Sequence, residues 1–158
     1  MRITDLLSKD GIELNVNAKD KNDIINKMTK LMLKTGRITD LNAYTELVLK
    51  REEEGSTGVG EGIAIPHGKG DCVTEPGLVA MVVPNGVEYD ALDGKPVNLL
   101  FMIAAPNTSD NVHLDVLSRL STMLMDTEFK NKLISAKSKT EFLDIINETE
   151  NEKFKEET

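Results

Sequence analysis

Apolar residues fall along this chain in two rhythms, and the changes from one to the other mark out its elements. Ile3, Leu6 and Leu7 share one side of a short opening turn, after which Ile12, Leu14 and Val16 alternate as a half-buried strand does. Helical spacing follows. Ile24, Met28, Leu31 and Met32 form one stripe of a helix that Asn17 is placed to cap and that runs to about Thr35, with Gly36 past its end. Leu41, Tyr44 and Val48 share a face of the next helix, capped by Asp40 and carried through Arg51 to a stop at Gly55.

Two uninterrupted apolar runs come later, residues 78–83 between Gly77 and Pro84, and residues 97–104 ahead of Pro106. Runs of that length predict strands covered on both faces, with Asp93-Gly94 turning the chain between them. Helical spacing then returns in Val112, Val116, Leu120, Met123 and Leu124, behind a cap at Asp110 or Asn111. Asp126 or Thr127 opens a further helix through Phe129 and Leu133, and Ser138 with Glu141 forms a capping box for the last, which carries Phe142, Ile145 and Ile146. From Glu148 onward the chain is acidic and lysine-rich with only Phe154 to bury, so it is expected to fray. The pattern predicts one α/β domain over residues 1–147, helices on both faces of a central sheet, and a charged tail over residues 148–158.

Composition narrows the function. With 158 residues, 39% apolar and 29% charged, the chain suits one soluble domain whose core is built from Leu, Ile, Val and Met, since Trp is absent. A net charge of -8 argues against nucleic acid or an anionic membrane as partner, both of which need clustered Lys and Arg. The single cysteine, Cys72, excludes an intrachain disulfide and fits a reducing compartment. No run is long enough to span a bilayer or to serve as a signal segment, which makes the cytoplasm the expected location, without membrane insertion.

The stretch from Arg51 to Lys69 carries the candidate chemistry. Its glycines punctuate a charged helix end, and a short apolar run, Ile63-Ala64-Ile65, then delivers Pro66 and His67 to what reads as a strand end opening onto a loop. Pro66 fixes φ before the imidazole, and Gly68 leaves room for something to approach. His67 is a candidate nucleophile. With only two histidines and no HExxH or CxxC spacing, a metal site is not expected. The glycines at 58, 60 and 62 lead into a strand and lack a Walker lysine, so no nucleotide cofactor is expected either. Ser56 and Thr57 lack a GxSxG elbow and read as turn residues. Arg51 in a last helical turn and His113 in a first turn each have a plain structural explanation, the former through the helix dipole.

The run GSTGVGEGIAIPHGK, with Arg51 before it and Asn111-Val112-His113-Leu114 opening a Leu-rich helix, resembles the fructose/mannitol-type enzyme IIA domains of the bacterial phosphoenolpyruvate-dependent sugar phosphotransferase system. The resemblance covers the chain from Ile3 to roughly Asn147, and residues 86–104 look more like the fructose branch than the nitrogen-regulatory one. It implies a central mixed sheet and a phosphotransferase that forms a phosphohistidine. Phospho-HPr would donate to Nε2 of His67, and a cysteine of a sugar-specific enzyme IIB would receive the group, with a separate membrane enzyme IIC carrying the sugar. Arg51 and His113 match the family's two auxiliary positions and would stabilise the phosphoryl oxygens. Cys72 lies outside the strand-loop setting of an enzyme IIB phosphocysteine and reads as an ordinary residue. The competing reading is a regulatory phosphoprotein of the nitrogen-regulatory type, in which phosphorylation of His67 controls binding to a target protein.

Overall fold

Alternation along two long strands decides which side of the sheet each residue serves. In a computed structural model that describes residues 2–108 and 110–154, β5 (Gly77–Val87) and β6 (Val97–Pro106) run antiparallel, from Gly77 opposite Ala104 to Val82 opposite Leu99. Val79, Met81 and Val83 enter one core, while Leu78, Ala80 and Val82 enter the other. The continuous apolar runs are therefore two alternating sets read together.

Helices α2 (Lys21–Lys34) and α3 (Leu41–Glu53) close the first core with Ile24, Met28, Met32, Tyr44 and Val48. The second core lies under α1 (Ile3–Leu6), α4 (Val112–Leu124), α5 (Thr127–Ser135) and α6 (Lys139–Lys153), filled by Ile3, Val116, Leu120, Phe129, Leu133 and Phe142 among others. Each such side chain contributes about 1.5–3 kcal/mol when fully buried. The short strands β1 (Ile12–Glu13), β2 (Gly58–Gly60), β3 (Ile63–Ala64) and β4 (His67–Gly70) complete a six-stranded sheet in the order β1-β5-β6-β3-β2, with β4 also paired to β6. β1 is parallel to β5, and β3 and β4 are parallel to β6, so the sheet is mixed and has helices on both faces, as expected.

Four local expectations change. The cap of α2 is Asp20 rather than Asn17: its carboxylate accepts from the Asp23 amide at 2.8 Å, and Asp23 in turn accepts from the Lys19 amide at 2.9 Å. The alternating residues after Ile12 pair as a strand only at Ile12 and Glu13, with one further bond from the Val16 amide to the Val82 carbonyl. Pro84 does not end β5. The ladder to β6 is irregular between Val82 and Val87, and a proline, having no N–H to donate, sits inside that irregularity while the Asn98 amide group donates to the Val83 carbonyl.

The chain also does not fray at Glu148, because α6 continues to Lys153. Glu150, 0% exposed, accepts from the backbone amides of Ile3 and Thr4 at 2.7 and 3.2 Å and from Arg119 Nε at 2.9 Å. One carboxylate thus caps the start of α1 and ties the two chain ends to α4, and the Arg119 guanidinium lies 3.8 Å from the centre of the Phe154 ring. The remainder of the expected tail, 155–158, lies outside the described residues.

Candidate functional site

β3 and β4 occupy the same lane beside β6. Ile63 and Ala64 pair with Leu99 and Leu100, and pairing resumes with His67 opposite Ile103 through Gly70 opposite Pro106. Between them Ile65 donates its amide to the Thr57 carbonyl at 3.1 Å, on the β2 side, while the Pro66 carbonyl accepts from the Ile103 amide at 3.0 Å, on the β6 side. His67 therefore opens a strand at a break in the lane, whereas the sequence pattern placed it at a strand's end. The apolar run that suggested an ending strand is followed by a second, glycine-rich one in the same register.

Glycines alternate with His67 and Lys69 in β4 for a packing reason. A Cβ on Gly70 would collide with Leu47 Cδ1, and one on Gly68 would lie 3.1 Å from Tyr44 and 3.2 Å from Leu47, so α3 rests directly on the strand backbone. What approaches Gly68 is this helix. Because successive side chains leave a strand on opposite faces, His67 and Lys69 project away from α3, toward the side of α4.

The two histidines meet there. Asn111 opens α4 without a side-chain cap, and His113 lies in its first turn with ring centroid 6.0 Å from that of His67 and planes inclined by 32°. His67 Nδ1 is 3.2 Å from the Ile65 carbonyl oxygen. A carbonyl only accepts, so Nδ1 carries the hydrogen, and in the neutral ring Nε2 is left with its lone pair. Burial lowers the pKa of His113, the ammonium of Lys69 and any charge on the neighbouring His67 lower it further, and Asp115 opposes them. Its Nδ1 is buried and has no hydrogen-bond partner among the described residues. An imidazolium would strand a donor there, which also favours the neutral ring.

Arg51 has a backbone partner of its own. Its Nη1 donates to the Gly55 carbonyl at 2.9 Å, closing the C-terminal end of α3. Beside it lies a polar cluster that the sequence pattern did not single out. Glu52 accepts from the Thr57 amide at 3.1 Å and from the Thr57 hydroxyl, and pairs with Lys21 Nζ at 3.0 Å. Tyr89 places its hydroxyl 3.2 Å from Thr57 Oγ1, and burial, with the Glu52 charge, pushes its pKa far up. Ser56 bonds the Tyr89 carbonyl and receives the Gly58 amide, both at 3.0 Å. Glu52 follows Tyr44 and Val48 at four-residue steps on the buried stripe of α3, a spacing that marks it in the sequence.

Toward the other end of α4, a groove of about 510 Å³ is lined by Val59, Ile63, Ile65, Leu124 and Met125, with Lys130 donating to the Glu61 carbonyl at 2.9 Å along it. Met125 and Val59 are exposed by 84% and 52%, and Leu114, beside His113, by 50%. Among the described residues no three of His, Cys, Asp and Glu converge on a metal-sized site, and no helix is long and apolar enough to cross a membrane.

A family model described as phosphoenolpyruvate-dependent sugar phosphotransferase system, EIIA 2, matches residues 5–149. The chain is 46% identical over 148 residues to the fructose-specific EIIABC component of Bacillus subtilis, covering 94% of this chain but only 23% of that longer protein. It is 40% identical over 128 residues to the fructose-specific EIIA component of Haloferax volcanii, covering 81% of this chain and 83% of that one. Among solved structures, nitrogen regulatory protein IIA-Ntr from Neisseria meningitidis aligns with a TM-score of 0.85 at 30% identity, over 91% of this chain and 98% of that one. The Escherichia coli complex of enzyme IIAMTL and phosphorylated enzyme IIBMTL aligns at 0.80 and 28% identity, over 90% and 99%.

Proposed function

This chain belongs to the EIIA 2 family of the phosphoenolpyruvate-dependent sugar phosphotransferase system, and from that premise we propose that it carries a phosphoryl group on His67 between phospho-HPr and a cysteine of a fructose-class enzyme IIB. One observation carries the assignment: the Ile65 carbonyl holds the hydrogen on Nδ1 and leaves Nε2 as the free nucleophile. In the first step a bond forms from Nε2 to phosphorus as the bond from phosphorus to the donor breaks. In the second an enzyme IIB thiolate displaces the imidazole, returning His67 to its neutral form.

The phosphoryl oxygens need donors already in place. A neutral His113, its ring 6.0 Å from that of His67, supplies one N–H. Arg51 supplies a second contact through the guanidinium, since a bond to the Gly55 carbonyl uses only one of five donors. The exposed Leu114, next to His113 in the first turn of α4, offers an apolar contact for a protein partner near the site. We place the carrier in the cytoplasm, with sugar passage left to a separate enzyme IIC.

A regulatory role is favoured by one observation, the TM-score of 0.85 to IIA-Ntr; the 46% identity to a fructose-specific component weighs for transport. The deciding test is to label the chain with phosphoenolpyruvate, enzyme I and HPr, then follow discharge to purified enzyme IIB proteins. Rapid transfer to a fructose-class enzyme IIB is expected. Slow transfer to every sugar-specific enzyme IIB, with phosphorylation-dependent binding to a protein outside sugar transport, overturns the transport reading. Failure to take any label overturns both.

A further inference from the structure

Lys69 is the one side chain of β4 besides His67 that the glycine alternation sends toward α4, and it is half-buried there. Its Nζ lies 3.4 Å from the carbonyl oxygen of Asp110, the residue before Asn111 at the head of α4. Just beyond β4, Asp71 accepts from the side-chain amide of Asn107 at 3.0 Å, so the approach to α4 is tied to this strand at a second point. The start of α4 has few other ties of its own. Asn111 makes no side-chain cap, and His113 Nδ1 has no partner among the described residues.

We propose that Lys69 is a positioning residue for the phosphoryl-transfer site: by holding the Asp110 backbone against β4 it keeps the first turn of α4, and with it His113, facing His67. The two histidines sit on separate elements joined through no mutual hydrogen bond, so their 6.0 Å spacing depends on what fixes α4 relative to β4. Val116 and Leu120 anchor the helix body in the core, whereas in the first turn only Val112, partly buried, packs against it, so a cationic tether adds to a thinner apolar anchor there. Lys69 also adds a positive field on His113, as His67 on the same strand does when protonated, against Asp115 from α4 itself. An ammonium at this place therefore supports a neutral ring as well as a placed one. The proposal rests on the phosphoryl-carrier reading for its kinetic consequence only; the geometry of the histidine pair is independent of it.

The test uses the full chain with Lys69→Met and Lys69→Arg. Imidazole NMR titration reads both histidines directly, and single-turnover labelling from phospho-HPr reads the rate. In Lys69→Met the His113 titration is expected to move upward and its ring resonances to shift, while labelling slows by about tenfold, inside the roughly 100-fold that a misplacement of 1 Å costs a reaction. Lys69→Arg, which keeps a donor and a charge, is expected to restore most of both. An unmoved His113 titration in Lys69→Met, or an arginine variant as impaired as the methionine one, overturns the positioning role. Should wild type itself take no label, the carrier reading falls, and the NMR arm still decides whether Lys69 sets His113.

Discussion

Two polar groups flank the same glycine-rich stretch and are finished differently. On the α3 side, Lys21, Glu52, Thr57 and Tyr89 satisfy one another, and Ser56 fastens the turn to the Tyr89 backbone. On the α4 side, His67 has one bond, to the Ile65 carbonyl, and the buried nitrogen of His113 has none among the described residues. A saturated cluster has nothing left to offer a ligand; its work is to hold a backbone in place. An unsaturated pair at a break in a strand lane keeps lone pairs and donors available, at some cost in stability. The first group stabilises the frame that the second uses.

Substitutions separate the two roles. His67→Ala should end labelling altogether while costing about 1 kcal/mol, one modest hydrogen bond; intact mass after incubation with the phosphoryl donors, beside a denaturant melt, reads both. A phosphoryl adduct at wild-type level would remove His67 from the mechanism. Glu52→Ala should show the opposite profile, destabilising the fold by about 3–5 kcal/mol because Lys21 and Thr57 lose a nearly buried partner. Its labelling rate per folded molecule should fall much less than that of a histidine variant. A labelling loss with unchanged stability would erase the contrast between the clusters.

His113→Ala should raise the labelling barrier by about 2.7–4 kcal/mol in single-turnover measurements while leaving the melting temperature near wild type, since the ring satisfies no buried partner. Arg51→Lys should cost about 1.5 kcal/mol in the same assay, the low end for a hydrogen bond to a charged group, because a point charge replaces a planar fork. Wild-type rates in both would confine these residues to a helix start and a helix end. The smallest effect concerns acid. Because the folded state lowers the His113 pKa, the unfolded chain binds the extra proton first as pH falls below about 6.5, so this residue's contribution to stability is present above that pH and is lost toward the lowered folded value. Comparing wild type with His113→Ala in melts from pH 7 down to pH 5 should show the wild type losing more; equal losses would show that His113 is not held neutral.

Much of the architecture is legible along the chain because burial has a period. The runs at 78–83 and 97–104 announce strands covered on both sides, and the stripes containing Met28, Val48 and Leu120 announce the helices that cover them. Capping is legible where the acceptor is local, as at Asp40, Asp126 and Ser138, each of which accepts a nearby amide. It misleads where two candidates compete: Asp20 caps where Asn17 was expected, because a charged acceptor three residues from Asp23 closes the first turn. His67, His113 and Arg51 stand out through residue type and motif, but the motif treats them as equals. The fold sets the two histidine rings 6.0 Å apart and gives Arg51 a bond to the Gly55 carbonyl.

What the sequence by itself determined is therefore the main helices, the two long strands, the two-sided sheet and the histidine worth testing, since each follows from contacts within a few residues or from a periodicity. The tertiary structure alone decided the rest. Gly68 proved to be a bed for α3, Glu150 a cap for a helix 147 residues away from it in sequence at Ile3, and Lys69 a tether to Asp110. In each case the partner lies on a distant element, and the interaction exists only once sheet register and helix docking have carried both groups to one place. No local spacing encodes that meeting. The reason is physical: a side chain's identity sets which bond it can make, whereas the packed backbone sets which group is within 3 or 4 Å to make it with.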